Sequence, residues 1–214
     1  MKISGGLSEE GIVIGNAFDK YHSGNPVVRR IMQGFETALL KLVDDANPSS
    51  IHEVGCGEGY WVLRWIESGL NVRGSDFSPK VIELAEKNAA EFKLPSGLFK
   101  KKSIYDLQSD VDSADLIVCC EVLEHLEQPE TALRVLQKIT QKHVIFSVPR
   151  EPVWRLANMF RGKYWSDFGN TPGHIQHWSQ RAFIKLISQY FYVEKVRAPF
   201  PWTMLLCSPT QNLR

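Results

Sequence analysis

From Asn25 to Val43 apolar side chains return every three or four positions, at Val27, Ile31, Phe35, Leu39, Leu42 and Val43. That period predicts an amphipathic helix. Asn25 ahead of Pro26 supplies its cap, and Asn47-Pro48 its stop. Short stretches follow, each read as a strand: Ile51 to Val54, Asn71 to Ser75, Leu98 to Ser103, Ala114 to Cys120 and His143 to Val148. Helical spacing lies between them, from Tyr60 to Ile66, over Val81, Ile82, Leu84, Ala85 and Phe92 after Ser78-Pro79, and from Gln128-Pro129-Glu130 to Ile139. Strands alternating with helices predict an α/β domain around a parallel sheet. Ala114 to Cys120 is apolar throughout, as a central strand covered on both faces must be.

After Arg150 the pattern changes. Glu151-Pro152 opens a helix through Phe160, and residues 161–178 are loop-like, rich in glycine and aromatics. Ser179 caps a last helix whose apolar face is Phe183, Leu186, Ile187 and Tyr190. Val193 to Ala198 and Trp202 to Cys207 form an antiparallel hairpin at the sheet edge. Residues 1–24 have little periodicity and read as an arm, so the expected division is arm 1–24, one domain over 25–214, and within it a lid segment at 150–178.

One junction carries a chemical signal. The first strand runs into Gly55-Cys56-Gly57-Glu58-Gly59 and then a helix, the opening of a nucleotide-binding βαβ unit. The spacing is Gly-x-Gly-x-Gly rather than the dinucleotide Gly-x-Gly-x-x-Gly, which favours a ligand without phosphates. Asp76 stands at the tip of the second strand, where an acidic residue takes ribose hydroxyls.

Composition narrows the class. In 214 residues, 25 Lys and Arg face 24 Asp and Glu, a net charge of +1. That balance argues against nucleic acid or a membrane surface as a general partner; Lys100-Lys101-Lys102 reads as a solvated strand edge. Cys56, Cys119, Cys120 and Cys207 lack zinc-ligand spacing, and adjacent strand residues 119 and 120 point to opposite faces. A reducing, cytoplasmic compartment is expected. No signal-peptide core and no apolar run of ~18 residues is present.

The stretch Glu53-Val54-Gly55-Cys56-Gly57-Glu58-Gly59, with Gly74-Ser75-Asp76-Phe77-Ser78-Pro79 after it, resembles motifs I and II of the class I S-adenosylmethionine-dependent methyltransferases. The resemblance covers residues 51 to about 148. It implies a Rossmann-like fold with seven strands, mostly parallel, helices on both faces and an antiparallel edge hairpin. It also implies S-adenosylmethionine as cofactor, held by Glu53, Gly55, Cys56, Gly57, Asp76, Phe77, Ser78, Ile104 and Glu121, with Tyr21 reaching it from the arm. Glu53 is expected near the methionyl ammonium, Asp76 on the ribose, and Phe77 and Ile104 along the adenine, with Asp106 a candidate for its exocyclic amine.

Glu121-Val122-Leu123-Glu124-His125 ends the fourth strand, where open α/β sheets place their sites. Glu-x-x-Glu-His resembles the site of ubiquinone-type O-methyltransferases and of small-RNA terminal 2′-O-methyltransferases. In the latter, two Glu and two His bind a divalent cation. Here that set would be Glu121, Glu124, His125 and either His174 or His177. A metal-free site is preferred, with His125 or His174 as base or orienter for the hydroxyl of a small, partly apolar acceptor. The aromatics Trp154, Phe160, Tyr164, Trp165 and Trp178 either line the acceptor pocket or hold the lid down. The alternatives are an RNA 2′-O-methyltransferase, an NAD-dependent oxidoreductase and a non-catalytic S-adenosylmethionine-binding module.

Overall fold

The computed structural model describes residues 1–9, 12–16, 19–21, 23–162 and 164–210. Phe18 and His22 of the arm, and Lys163 of the lid, lie outside the described residues. The arm carries a small antiparallel hairpin, β1 (Ser8–Glu9) and β2 (Ile12–Val13). Helix α1 (Pro26–Ala46) follows; Asn25 accepts from the Val27 and Val28 N–H groups, and Asn47 closes the helix in the left-handed region at φ 43°. The chain then alternates through β3 (Ser50–Val54), α2 (Tyr60–Glu67), β4 (Asn71–Asp76), α3 (Pro79–Glu91) and β5 (Phe99–Lys101). It continues through β6 (Ala114–Cys120), α4 (Pro129–Ile139), β7 (Thr140–Pro149) and α5 (Val153–Phe160) to α6 (Gln180–Ile187), β8 (Phe191–Arg197) and β9 (Trp202–Pro209).

The main sheet has seven strands in the order β5-β4-β3-β6-β7-β9-β8. β3 to β7 are parallel, and β9 inserts antiparallel between β7 and the edge strand β8. Strand order reverses beside β3, so the crevice for a ligand opens at the carboxyl ends of β3, β4 and β6. The two-residue period of the strands divides the core. Ile51, Leu116, Val118, Ile145, Met204 and Leu206 pack with α1, α2 and α3, while Ile117, Cys119, Val144, Phe146, Leu205 and Cys207 pack with α4 and α6. Among the described residues no helix is long and apolar enough to cross a membrane, and all four cysteines are free. Lys100 and Lys101 are exposed on the edge strand β5, whereas Lys102 pairs with Asp112 at 2.6 Å.

Candidate active site

The glycine loop is fastened to β4: the N–H groups of Gly55 and Cys56 donate to the Ser75 carbonyl at 2.8 and 3.0 Å. The three glycines do different work. A Cβ at Gly55 would strike Val122, and one at Gly59 would strike the Phe99 ring, so both admit neighbouring side chains. Only Gly57, at φ 53°, faces open space, where a ligand can lie directly on the backbone. Its N–H donates to Asp76 Oδ2 at 3.1 Å, and the Ser78 N–H donates to Oδ1 at 3.0 Å. Ser78 also caps α3 through its hydroxyl. Burial pushes the Asp76 pKa up, against these two N–H bonds.

Glu53, at the end of β3, is 5% exposed, and its Oε2 has no hydrogen-bond partner among the described residues. Burial raises its pKa well above the carboxylate range; the Val62 N–H and Lys20 pull it back, and the Asp76 charge adds to the rise. An orphaned buried carboxyl oxygen is costly unless a donor arrives, and a ligand ammonium would supply one. Tyr21 packs nearby, stacked on Tyr60 with centroids 3.6 Å apart, and its hydroxyl accepts from Trp61 Nε1 at 3.1 Å. Lys20 Nζ lies 5.3 Å from the centre of the Tyr21 ring. Cys56 is buried with its thiol pKa pushed up by burial, and Ile104 is buried in the core beside Val54. Phe77 is 40% exposed beside Asp76.

At the end of β6 the two carboxylates part company. Glu121 sits at φ 59°, a left-handed conformation rare for a side chain of its size. Its Oε1 accepts from Ser147 Oγ at 2.8 Å and its Oε2 from Trp202 Nε1 at 2.7 Å. Glu124 lies in the 3-10 turn Leu123–His125, is 1% exposed, and has no partner for either carboxyl oxygen among the described residues. Burial raises both pKa values, and the Glu121 charge adds to the rise at Glu124. Glu121 has two donors and Glu124 none among the described residues, so the charged form of Glu124 is the less stabilised of the two.

The histidines divide as well. His125 donates from Nδ1 to the Gly173 carbonyl at 2.9 Å, because a carbonyl can only accept; Nε2 therefore carries the lone pair. The His174 ring stands edge-on to it, 4.8 Å away, and lies over Trp154 at 6.0 Å. Burial, then the charges of His125 and His177, push His174 down to about 3, and burial also lowers His125. Both are neutral imidazoles near pH 7. His177 is exposed, faces Glu151 at 3.7 Å and is not part of the cluster that His125 and His174 form with Glu124. Ligand atoms of Glu124, His125 and His174 lie within 4.8 Å of one another, the only such cluster among the described residues. Glu121 is held outside it by Ser147 and Trp202.

A family model described as "Methyltransferase domain" matches residues 27–190. The chain belongs to the class I S-adenosylmethionine-dependent methyltransferases. S-adenosylmethionine is the cofactor, and no metal requirement follows from the comparisons. A ubiquinone biosynthesis O-methyltransferase of Alkalilimnicola ehrlichii is 27% identical over 153 residues, 64% of this chain and 61% of that one. The chloroplastic magnesium protoporphyrin IX methyltransferase of Arabidopsis thaliana is 30% identical over 136 residues, 59% of this chain and 43% of that one. The chain thus spans less than two thirds of these curated relatives. The crystal structure of magnesium protoporphyrin IX methyltransferase from Synechocystis PCC 6803 with bound SAH has the same fold, with TM-score 0.67 at 20% identity, covering 89% of this chain and 91% of that one.

Two residues that complete the site carried no local signal. Ser147 and Trp202 reach Glu121 from 26 and 81 positions away. Glu58 lies inside the glycine motif, but its partners are in the arm.

Proposed function

We propose that the chain transfers the methyl group of S-adenosylmethionine to a hydroxyl of a small, partly apolar molecule. In this reading Glu53 receives the methionyl ammonium, Asp76 the ribose, and Gly55, Cys56 and Gly57 the cofactor's spine. Phe77, Ser78 and Ile104 border the adenine, Glu121 lines the methionyl side, and Tyr21 closes over it. The observation that carries the acceptor assignment is the His125–His174 pair. His125, whose Nε2 holds the free lone pair, is able to accept a proton; His174, too weak a base at about 3, orients it, and the pair stands against Trp154 at the carboxyl end of β6. The leaving thioether is neutral and needs no acid. A hydroxyl acceptor does need its proton removed, which positioned imidazoles do with gains of ~10²–10⁴-fold. Two relatives named above are O-methyltransferases or act on a porphyrin, which supports an apolar acceptor. Methyl-labelled cofactor should be offered with phenols, catechols, carboxylic acids and amines, and the product identified. Methyl on a hydroxyl is expected; methyl on a carboxyl or amine nitrogen would reassign the acceptor.

A second reading rests on Glu124. Two bare carboxyl oxygens beside two neutral imidazoles fit a divalent cation of the imidazole and carboxylate class, with Glu124, His125 and His174 as its protein ligands. Such an ion, when bound, would lower the pKa of an acceptor hydroxyl. Chelation should then abolish transfer, added metal should restore it, and Glu124→Ala should mimic chelation. Full turnover in chelator, with no metal in the purified protein, would leave the imidazoles acting alone.

A further inference from the structure

The glycine loop holds a buried carboxylate that the site described above does not use. Glu58 is 1% exposed, and its donors come from the arm. Oε1 accepts from the Ser4 N–H at 2.9 Å, the Ser4 hydroxyl at 2.8 Å and the Asn16 N–H at 2.8 Å, and Oε2 accepts from Asn16 Nδ2 at 2.6 Å. Gly15 carries no side chain there; a Cβ would strike Glu58 Oε1. A second fastening runs alongside. The Lys2 N–H donates to Asn88 Oδ1 at 2.8 Å, and Asn88 Nδ2 donates to the carbonyls of Lys2 and Glu58, each at 3.0 Å. Five positions after Asn16 the arm is pinned again, where Tyr21 stacks on Tyr60 and accepts from Trp61. Five residues reach at most ~18 Å, so the two pins lie close together at the same loop that offers Gly57 to the ligand.

We infer that Glu58 is a positioning residue: it latches the N-terminal arm across the cofactor cleft and thereby sets how slowly the cofactor leaves. The inference rests on the proposed placement of Tyr21 over the methionyl end. Charge-assisted bonds from four donors make a latch far stronger than one neutral bond. Its release frees Tyr21 to lift, without touching Gly57 or Asp76.

The test compares Glu58→Ala, Glu58→Gln and Asn16→Ala in the full chain. Stopped-flow displacement gives the release rate of S-adenosylhomocysteine, calorimetry the affinity for adenosine, which lacks the methionyl end, and hydrogen exchange the protection of residues 1–21. Glu58→Ala and Asn16→Ala should each release S-adenosylhomocysteine at least tenfold faster, leave adenosine affinity within twofold, and lose protection in the arm. Glu58→Gln, which keeps an acceptor for the backbone donors, should restore most of the slow release. The double variant should be no worse than Glu58→Ala. Unchanged release with an unprotected arm would overturn the latch. Equal loss for both ligands would overturn it too, by showing that Glu58 only shapes the glycine loop. If Glu58→Ala does not fold, Asn16→Ala decides by the same criteria. Asp76→Ala separates the two readings: it should weaken both ligands at least tenfold, and if it weakens neither, the cofactor-site assignment fails rather than the latch.

Discussion

His52 shows what one residue contributes beneath the glycine loop. It is 1% exposed in β3, donates from Nδ1 to the Asp112 carbonyl and accepts at Nε2 from the Ser75 hydroxyl, both at 2.8 Å. Ser75 in turn offers its carbonyl to the Gly55 and Cys56 N–H groups, so the imidazole braces the loop from below. Burial lowers its pKa to about 4, against the Asp112 carbonyl bond, which raises it. The unfolded chain takes up this proton near pH 6.5, while the native state refuses it until about 4. Stability should therefore fall as pH drops from 6.5 to 4, by roughly 3 kcal/mol in all from this group, and this contribution should be flat below that range. Denaturant unfolding at stepped pH checks this, and His52→Gln should flatten the slope; an unchanged slope would place the titration elsewhere. The same residue marks a limit of sequence reading. The place of Asp76 at the end of β4, against Gly57, was legible because its distance from the glycines is fixed by one βαβ unit. The partners of His52, Glu58 and Glu121 lie 23 to 81 positions away, where no local period points.

Among the elements, those with a period and a cap were legible. Asn25, Ser78 and Ser179 all cap the helices their spacing announces. The hairpin of β1 and β2 was not, since two-residue strands have no period to read. The lid segment turned out to be anchored more firmly than its glycines suggest. The N–H groups of Ile175 and Gln176 both donate to the Glu124 carbonyl at 3.0 Å, and Asn158 Nδ2 donates to the Gly169 carbonyl at 2.9 Å. Gly169 lies against the Arg155 backbone, so it serves packing rather than hinging. What stays unpacked is the crest: Phe160, Trp165 and Phe168 are 90%, 62% and 74% exposed. Aromatic surface of that extent is stabilised by burial over an apolar ligand. Hydrogen exchange around residues 160–168 should be fast in the free protein and slowed by cofactor and acceptor together, while residues 174–178 stay protected in both. His174→Ala should lower turnover at least 10²-fold and leave S-adenosylmethionine affinity within twofold. A crest equally protected in both states, with normal turnover of the variant, would make the segment scaffold and move the acceptor site towards Tyr21.

The whole molecule joins its far edge to its centre through one strand. Because β9 inserts between β7 and β8, Trp202 at its start pairs with Pro149 at the end of β7 and comes within reach of Glu121. The edge hairpin was legible, but that insertion was not, because apolar alternation specifies a strand and not its neighbour. Its consequence is a run of ring contacts from the α1 face to the acceptor side: Phe35 to Trp202 at 4.9 Å, Trp202 to Trp154 at 5.7 Å, Trp154 to His174 at 6.0 Å. Trp202→Phe keeps most of that packing and deletes the indole N–H that Glu121 accepts. A carboxylate that loses such a donor loses part of the stabilisation of its charged form, which raises its pKa. If Glu121 works as an anion beside the cofactor, the acid limb of the pH–rate profile should move upward. Turnover measured on the acid side should then fall at least tenfold, with little change on the alkaline side. Ser147→Ala, which removes the other donor, should move the limb the same way. A profile that keeps its shape in both variants, with the fold intact by melting temperature, would mean that Glu121 is braced for structure alone.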